Sequence, residues 1–309
     1  MKEIIIVGDS VSSGSVILNG IHRSNEISKY RKSKFLELRK GEKNKIFDIH
    51  NSIIIFMGLV TDLFNLTKND IDRLHNQKNI IVVEPIDKLA FIDNYSRKNE
   101  EFLIYKNIDG VLFTNNYTKI YFKDWINKLS AVIPQHYDIR FNSVTSPKDS
   151  NFYVKYLGAE YDNIFLKSQK PDWLLLDFTY NPINDFVENK SNIFSNMRKC
   201  NCHFSHRISN SVEFYFKPGM KFAAASATES AIILSRDKSN VEILEDYPLY
   251  VSDDISDVQN KYELARSWFG TNKWNDILEQ INLVREKTDL KNLVHSYLQF
   301  FNELEESNL

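Results

Sequence analysis

The hydrophobic positions of this chain fall into short continuous runs separated by segments of mixed polarity. Ile4-Ile5-Ile6-Val7 is the first run and stops at Gly8-Asp9-Ser10. Ile53 to Gly58, Ile80 to Glu84, Gly110 to Thr114 and Ala131 to Pro134 follow, with helical spacing between them over Val16 to Tyr30, Asn69 to Asn76 and Thr118 to Leu129. Runs without polar alternation mark strands covered on both faces, and their alternation with helices marks a parallel sheet. The pattern pauses at Pro134-Gln135-His136-Tyr137-Asp138, and the polar stretch Asn142 to Asn151, with Pro147 in it, reads as a linker. It then resumes. Asn151 to Tyr156, Trp173 to Leu176, Val212 to Phe216, Ala231 to Ser235 and Leu249 to Val251 read as strands. Asn189 to Cys200, Pro218 to Glu229 and Asn240 to Glu245 read as helices, and Ser256 to Glu306 is helical with breaks near Gly270 and Asp289. The expectation is an α/β chain of two doubly wound domains, residues 1–138 and 139–275, followed by C-terminal helices over 276–309. Ligands of such sheets bind beyond the carboxyl ends of the strands, so two facing domains would hold theirs in the cleft between them.

Composition narrows the function classes. The chain has 309 residues, 42% of them hydrophobic, and a net charge of −2. A near-neutral balance lacks the basic footprint of a nucleic-acid-binding domain. The two cysteines, Cys200 and Cys202, are placed poorly for a disulfide with each other and read as reduced thiols of a cytoplasmic protein. With His203 and His206 they match no usual zinc spacing. The opening apolar run is too short for a signal peptide, and no run approaches the ~20 apolar residues of a membrane span. Asp70-Ile71-Asp72 and Asp253-Asp254 stand at helix starts, where carboxylates belong for dipole reasons, so no metal and no bound cofactor are expected.

The sharpest candidate chemistry lies at Phe216-Lys217-Pro218-Gly219-Met220-Lys221. Pro218 suits the first position of a helix, and Lys217 and Lys221 share one face at its start. A helix N-terminus presents free N–H groups and the positive dipole end, so two lysines there suggest a seat for a diphosphate. The following Ala223-Ala224-Ala225-Ser226-Ala227 allows close packing of helix on sheet. Arg207 could grip the same diphosphate through its guanidinium fork. Ser235, Asp237 and Glu242 follow the next strand, where a carboxylate would accept hydrogen bonds from ribose hydroxyls. In the first half, the loop Gly8 to Ser15 follows a strand and precedes a helix. It has neither dinucleotide-fingerprint nor P-loop spacing, but its small residues Gly14 and Ser15 would let a ligand approach the backbone. His22 on the next helix, and Glu84 and Asp87 after the third strand, are candidates for general-base work. His136 and Asp138 stand at the domain junction. Each also has a bland reading as a capped turn, a hinge or a solvated charge.

From Val212 to Asp254 the chain resembles the GT-B glycosyltransferases. The Lys-Pro-x-x-Lys segment, the Ala-rich helix, the apolar strand, Ser235-Arg236-Asp237, Glu242-Ile243-Leu244 and Asp246-Tyr247-Pro248 look like the nucleotide-sugar half of that family. Val132 to Asp138 resembles its inter-domain crossing. The resemblance implies two Rossmann-like domains facing across a cleft, with the C-terminal helices returning to pack on the first. It also implies a metal-independent transfer of sugar from a nucleotide-diphosphate donor of the UDP type to an acceptor hydroxyl. Arg207, Lys217, Lys221, Ser235, Asp237 and Glu242 would hold the donor. Gly14, Ser15 and His136 would line the acceptor side, with Asp87 or His22 as base. The acceptor would be a glycan, a lipid-linked sugar, a protein or a modified DNA base. In one respect the chain departs from the family: its large retaining branch carries two glutamates around the Ala-rich helix, where this chain has Phe216 and Ala224. That leaves two alternatives: a catalytically inactive nucleotide-sugar-binding protein of the same fold, or a phage-type DNA-base glycosyltransferase. The basic stretch Arg23, Lys29, Arg31, Lys32, Lys34, Arg39 and Lys40 would supply the latter's DNA-binding groove.

Overall fold

A computed structural model describes residues 1–9, 16–39, 41–58, 60–85, 96–124, 126–143, 148–157, 170–176, 191–206, 217–252, 254 and 256–308. The chain divides into two compact units. The first comprises Met1–Gln135, Tyr215–Pro218 and Leu290–Leu309, and the second His136–Phe214 and Gly219–Asp289.

The first unit is built on a six-stranded sheet: β1 (Glu3–Gly8), β2 (Ser33–Glu37), β3 (Ser52–Met57), β4 (Ile80–Glu84), β5 (Gly110–Phe113) and β6 (Leu129–Val132). Every pairing is parallel and the order is β2-β1-β3-β4-β5-β6. The chain steps from β1 outward to β2, then crosses to β3 on the other side of β1, so the strand order reverses between β1 and β3. Ile53 pairs with Ile80 and Ile55 with Val82, and every residue of β3 and β4 is buried, as their unbroken apolar runs require. Ile5, Val7, Ile54, Phe56, Ile81 and Val83 form one core with side chains from α2 (Val60–Leu63), α3 (Lys68–Asn76), α4 (Lys98–Tyr105) and α5 (Asn116–Phe122). A π-helical stretch, Val16–His22, runs into α1 (Arg23–Ile27). The edge strand β2 is one that the pattern of apolar runs did not mark. Only Phe35 and Leu36 are apolar in it, and no residue of the strand is fully buried, so it carries little of the signal that marks a central strand. Helix α5 also stops at Phe122, well short of the predicted Leu129, which instead opens β6.

The second unit has a five-stranded parallel sheet of β7 (Val154–Tyr156), β8 (Leu174–Leu175), β9 (Cys202–Ser205), β10 (Ala231–Ser235) and β11 (Tyr250–Val251), in the order β11-β10-β9-β7-β8. Here the order reverses between β7 and β9. Strand β9 was missed in the sequence because Cys-His-Phe-Ser has one strongly apolar residue, yet its first three residues are buried at the centre of the sheet. The predicted strand Val212 to Phe216 lies outside the described residues. Helices α6 (Ser191–Lys199), α7 (Met220–Ala227), α8 (Lys238–Ile243), α9 (Ser256–Trp268) and α10 (Asn272–Thr288) complete the unit. Helix α7 packs on α10 and β10, and its Ala223, Ala224, Ala225 and Ala227 are buried.

The last helix, α11 (Leu290–Ser307), belongs to the first unit, where it contacts α1 and β6. Gly110 opens β5 beneath it: a Cβ there would lie 2.9 Å from Leu304 Cδ2 and 3.0 Å from Phe300 Cζ. The predicted tail breaks near Gly270 and Asp289 coincide with the α9–α10 and α10–α11 junctions. No described helix is long and apolar enough to cross a membrane.

Candidate functional site

In a parallel sheet the ligand edge is the one beyond the carboxyl ends of the strands, next to the point where the order reverses. In the second unit that edge is formed by the ends of β9 and β10. Leu234 pairs with Ser205, so Ser235 and His206 stand side by side at the next step of the ladder. Both are buried, and His206 Nδ1 lies 3.0 Å from Ser235 Oγ. Asn240, on α8, donates from Nδ2 to the carbonyl of Ser235 at 3.2 Å. Its Oδ1 faces Gly219, the cap residue of α7: a Cβ at Gly219 would lie 3.2 Å from it and 2.5 Å from Ile243 Cδ1. Hydrogen-bonded and packed neighbours therefore link the end of β9 to the start of α7 through His206, Ser235, Asn240 and Gly219.

Helix α7 leads into the amino end of β10, and its cap residue packs against Asn240, so its N-terminus lies on this edge. Gly219 has no side chain to cap it, and the first intrahelical bond runs from Ala223 N to Gly219 O at 3.0 Å. The first-turn N–H groups are not consumed by a cap side chain, which is the electrostatic requirement for an anion seat. Lys221 is half-buried in that first turn. Lys217 is also half-buried and groups with the first unit. Asp237 occupies the cap position of α8 without a side-chain cap bond, and Glu242 on the same helix is exposed. Arg207, Gly14, Ser15 and Asp87 lie outside the described residues.

The opposite, amino edge of the same sheet is polar but closed. Lys148 Nζ donates to Cys200 O at 2.8 Å, Thr228 O at 2.7 Å and Ser230 Oγ at 2.7 Å, which uses all three ammonium donors. Burial pulls its pKa down to about 8, against the opposing pull of Cys200 and Glu229. His203 is buried against Thr228 Oγ1 at 3.2 Å, and burial, with Lys148 and Lys155 nearby, pushes its pKa down to about 3. Burial raises the Cys200 thiol to about 11 and the Cys202 thiol well above its ordinary value. Protonated thiols and a neutral imidazole, each turned toward protein groups, form structural packing. Among the described residues no three His, Cys, Asp or Glu side chains converge as a metal site would require.

In the first unit, His22 ends the π-helical stretch, 8% exposed, and His136, the first residue of the second unit, is wholly buried. Glu84 closes β4 and accepts from Arg23 Nη2 at 2.6 Å. Burial works against the Arg23 charge, but the charge and hydrogen bond of Glu84, and then Tyr297, outweigh it and hold the guanidinium protonated. Glu84 is thereby committed to an ion pair rather than poised as a base. Asp138 is likewise committed, to Arg140 of its own turn at 2.6 Å. The described members of the basic stretch each stand against a carboxylate, mostly at the surface. Arg23 pairs with Glu84, Lys29 with Glu26, Arg31 with Glu305, Lys32 and Lys34 with Glu3, and Arg39 with Glu37, while Lys40 lies outside the described residues. Arg23 and Arg31 are buried, so the stretch is not the groove a DNA acceptor would need.

A cavity of about 920 Å³ lies at the amino edge of the first sheet, lined by Lys2, Asn51, His75, Lys78, Asp109 and Glu305 among others. His75 faces Asp109 at 3.0 Å, and Glu305 accepts from the Lys2 backbone, so its charges answer one another. It stands at the end of the sheet away from the strand-order reversal's ligand edge.

No protein-family model matches the sequence, and no curated protein matches it. Solved structures match over almost the whole chain. Anabaena Alr3699/HepE in complex with UDP and glucose superposes with a TM-score of 0.61 at 8% identity, covering 98% of this chain and 100% of that one. A UDP-forming α,α-trehalose-phosphate synthase from Burkholderia xenovorans gives 0.59 at 10% identity, covering 99% and 100%. An α-glucosyltransferase in complex with UDP-glucose and DNA containing an abasic site gives 0.54 at 11% identity, covering 98% and 97%. These likenesses are of fold: the chain has the two Rossmann-like units of the GT-B glycosyltransferase fold, as its sequence resemblance implied.

Proposed function

We propose that this chain is a metal-independent glycosyltransferase that moves a sugar from a UDP-type donor to an acceptor hydroxyl. The observation that carries the reading is the start of α7. An N-terminus without a side-chain cap, with Gly219 at its cap and Lys221 in its first turn, stands on the ligand edge of a parallel sheet. The fold is one whose solved members include proteins holding UDP or UDP-glucose. In the transfer, the acceptor oxygen forms a bond to the anomeric carbon while the bond from that carbon to the diphosphate oxygen breaks. The electron pair leaves with the diphosphate, and the acceptor proton passes to a base. Charge therefore develops on the diphosphate. The α7 N–H groups and Lys221, joined by Lys217 and Arg207, would stabilise it electrostatically, with Glu242 and Asp237 toward the ribose. Gly14, Ser15 and His136 would serve the acceptor, with His22 or Asp87 as base where the reaction inverts. The burial of Arg23 and Arg31 within the basic stretch argues for an acceptor other than DNA.

Calorimetry with UDP tests the seat. Wild-type protein is expected to bind UDP, and the double variant Lys217→Ala, Lys221→Ala to bind at least about tenfold more weakly. Unchanged affinity in the double variant overturns the phosphate seat. Failure of wild-type protein to bind UDP overturns the whole reading, and binding with neither hydrolysis nor transfer would make the chain a nucleotide-sugar-binding protein.

A further inference from the structure

We propose that the cavity of about 920 Å³ at the amino edge of the first sheet binds an uncharged saccharide. The site belongs wholly to the first unit, so it is independent of the donor seat on the second. Its volume falls within the range of small-molecule sites, about 300–1,000 Å³. The chemistry of its wall follows from which polar groups are already engaged. Lys2 Nζ donates to Asn51 Oδ1 at 2.7 Å and to the carbonyl of Lys78. Glu305 accepts from Arg31 Nη2 at 2.8 Å and from the Lys2 backbone. Asp109 accepts from Ile81 N at 2.6 Å and stands 3.0 Å from His75 Nε2. One ammonium and two carboxylates are thereby used up within the wall itself.

What remains is the Lys78 ammonium and the Glu306 carboxylate, neither of which has a hydrogen-bond or ion-pair partner among the described residues. Three asparagine amides stand with them. Asn51 and Asn302 give Oδ1 to Lys2 and Arg31 and keep Nδ2 as a donor. Asn308 gives Nδ2 to Leu304 O at 2.8 Å and keeps Oδ1 as an acceptor. The side chains left over thus carry one charge of each sign and a mixture of donors and acceptors. An anion would meet the Glu306 carboxylate beside the one remaining ammonium. A metal ion would need three converging His, Cys, Asp or Glu side chains, and the described residues hold no such group. A sugar hydroxyl both donates and accepts, so a ring carrying several of them matches this wall. Ile80 and the aliphatic stems of Lys2 and Lys78 supply apolar surface for the sugar C–H groups. Asn51 and Lys78 both hold left-handed backbone, at φ 49° and 62°, and Lys2 bonds to each, so the wall is fixed before a ligand arrives.

The test uses the whole chain labelled with ¹⁵N at asparagine. The probes are neutral tetrasaccharides of glucose, N-acetylglucosamine and mannose at millimolar concentration, with inorganic phosphate and glycine as charged controls. At least one saccharide is expected to shift the side-chain amide resonances of Asn51, Asn302 and Asn308 to saturation, and neither control is. Asn302→Ala combined with Asn308→Ala, both exposed, is expected to weaken that saccharide about tenfold by calorimetry. The resonance experiment needs no variant, so it decides even if a substitution disturbs the fold. Amides unmoved by all three saccharides overturn the proposal. Equal shifts with phosphate or glycine overturn the ligand class, and a saccharide bound equally well by the double variant overturns the placement.

Discussion

Tyr137 donates its hydroxyl to Asp289 Oδ2 at 2.9 Å, and its backbone N–H bonds to Thr288 O at 3.3 Å. These residues are the second and the last two of the second unit, so its first entry and its final exit meet at one hydrogen-bonded point. Asn142 and Arg285 extend the tie, and Arg285 shares Glu229 with Arg198.

Tyr137→Phe removes the donor and leaves Asp289 without it, a loss of about 1–3 kcal/mol. Burial, and then Asp289, raise the phenol above its usual pKa. The folded state therefore keeps its proton longer than the unfolded one, so the contribution is complete below about pH 10 and fades as pH rises through the folded value. Denaturant unfolding should show wild type and variant converging above pH 10. An equal gap at pH 7 and in strong alkali would contradict this.

Lys148 is the next test, because its ammonium closes the amino edge of the second sheet. Lys148→Ala strands the carbonyls of Cys200 and Thr228 and the hydroxyl of Ser230. A loss of about 2–4 kcal/mol is expected, with UDP binding intact wherever the protein stays folded. A variant as stable as wild type would show that the three acceptors find other partners.

How far the sequence displayed this architecture depends on burial. Ile4 to Val7, Ile53 to Met57 and Ile80 to Glu84 are central strands, covered on both faces, and their composition shows it. Ser33 to Glu37 lies at an edge and needs few apolar residues. Cys202 to Ser205 is central but short, with a histidine and a serine among its four residues, so it has no continuous apolar run. The site follows the same division. Lys221 announced itself through its place at a helix start, but the helix begins at Met220 with Gly219 as its cap, so Pro218 and Lys217, expected to open it, precede it instead. His206 and Asn240 acquire meaning only through the β9–β10 register and the packing of α8 on the α7 cap, neither of which local sequence encodes.

His203 predicts an acid dependence. Its folded pKa of about 3 lies below the ordinary value of 6.5, so between those values the unfolded chain binds a proton that the folded chain refuses. Stability therefore falls as pH drops from 6.5 toward 3, by about 2–3 kcal/mol at pH 4.5 from this group. His203→Gln should flatten that part of the profile in denaturant titrations. A profile of undiminished slope would place the acid sensitivity elsewhere.

Gly219 gives the most direct link between packing and function. A Cβ at this position would lie 2.5 Å from Ile243 Cδ1 and 3.2 Å from Asn240 Oδ1. The isoleucine end can swing away, so Gly219→Ala should cost only about 1 kcal/mol of stability, at the low end of overpacking. The shift displaces α8 from the cap and crowds the N–H groups of the first turn, so UDP affinity should fall more than stability does. Gly219→Ala combined with Ile243→Val removes the Cδ1 that is struck and should recover most of that affinity. If the double variant binds UDP as poorly as Gly219→Ala alone, the lost affinity comes from the Cβ itself meeting the ligand or Asn240. If both bind like wild type, the start of α7 is not where the diphosphate sits.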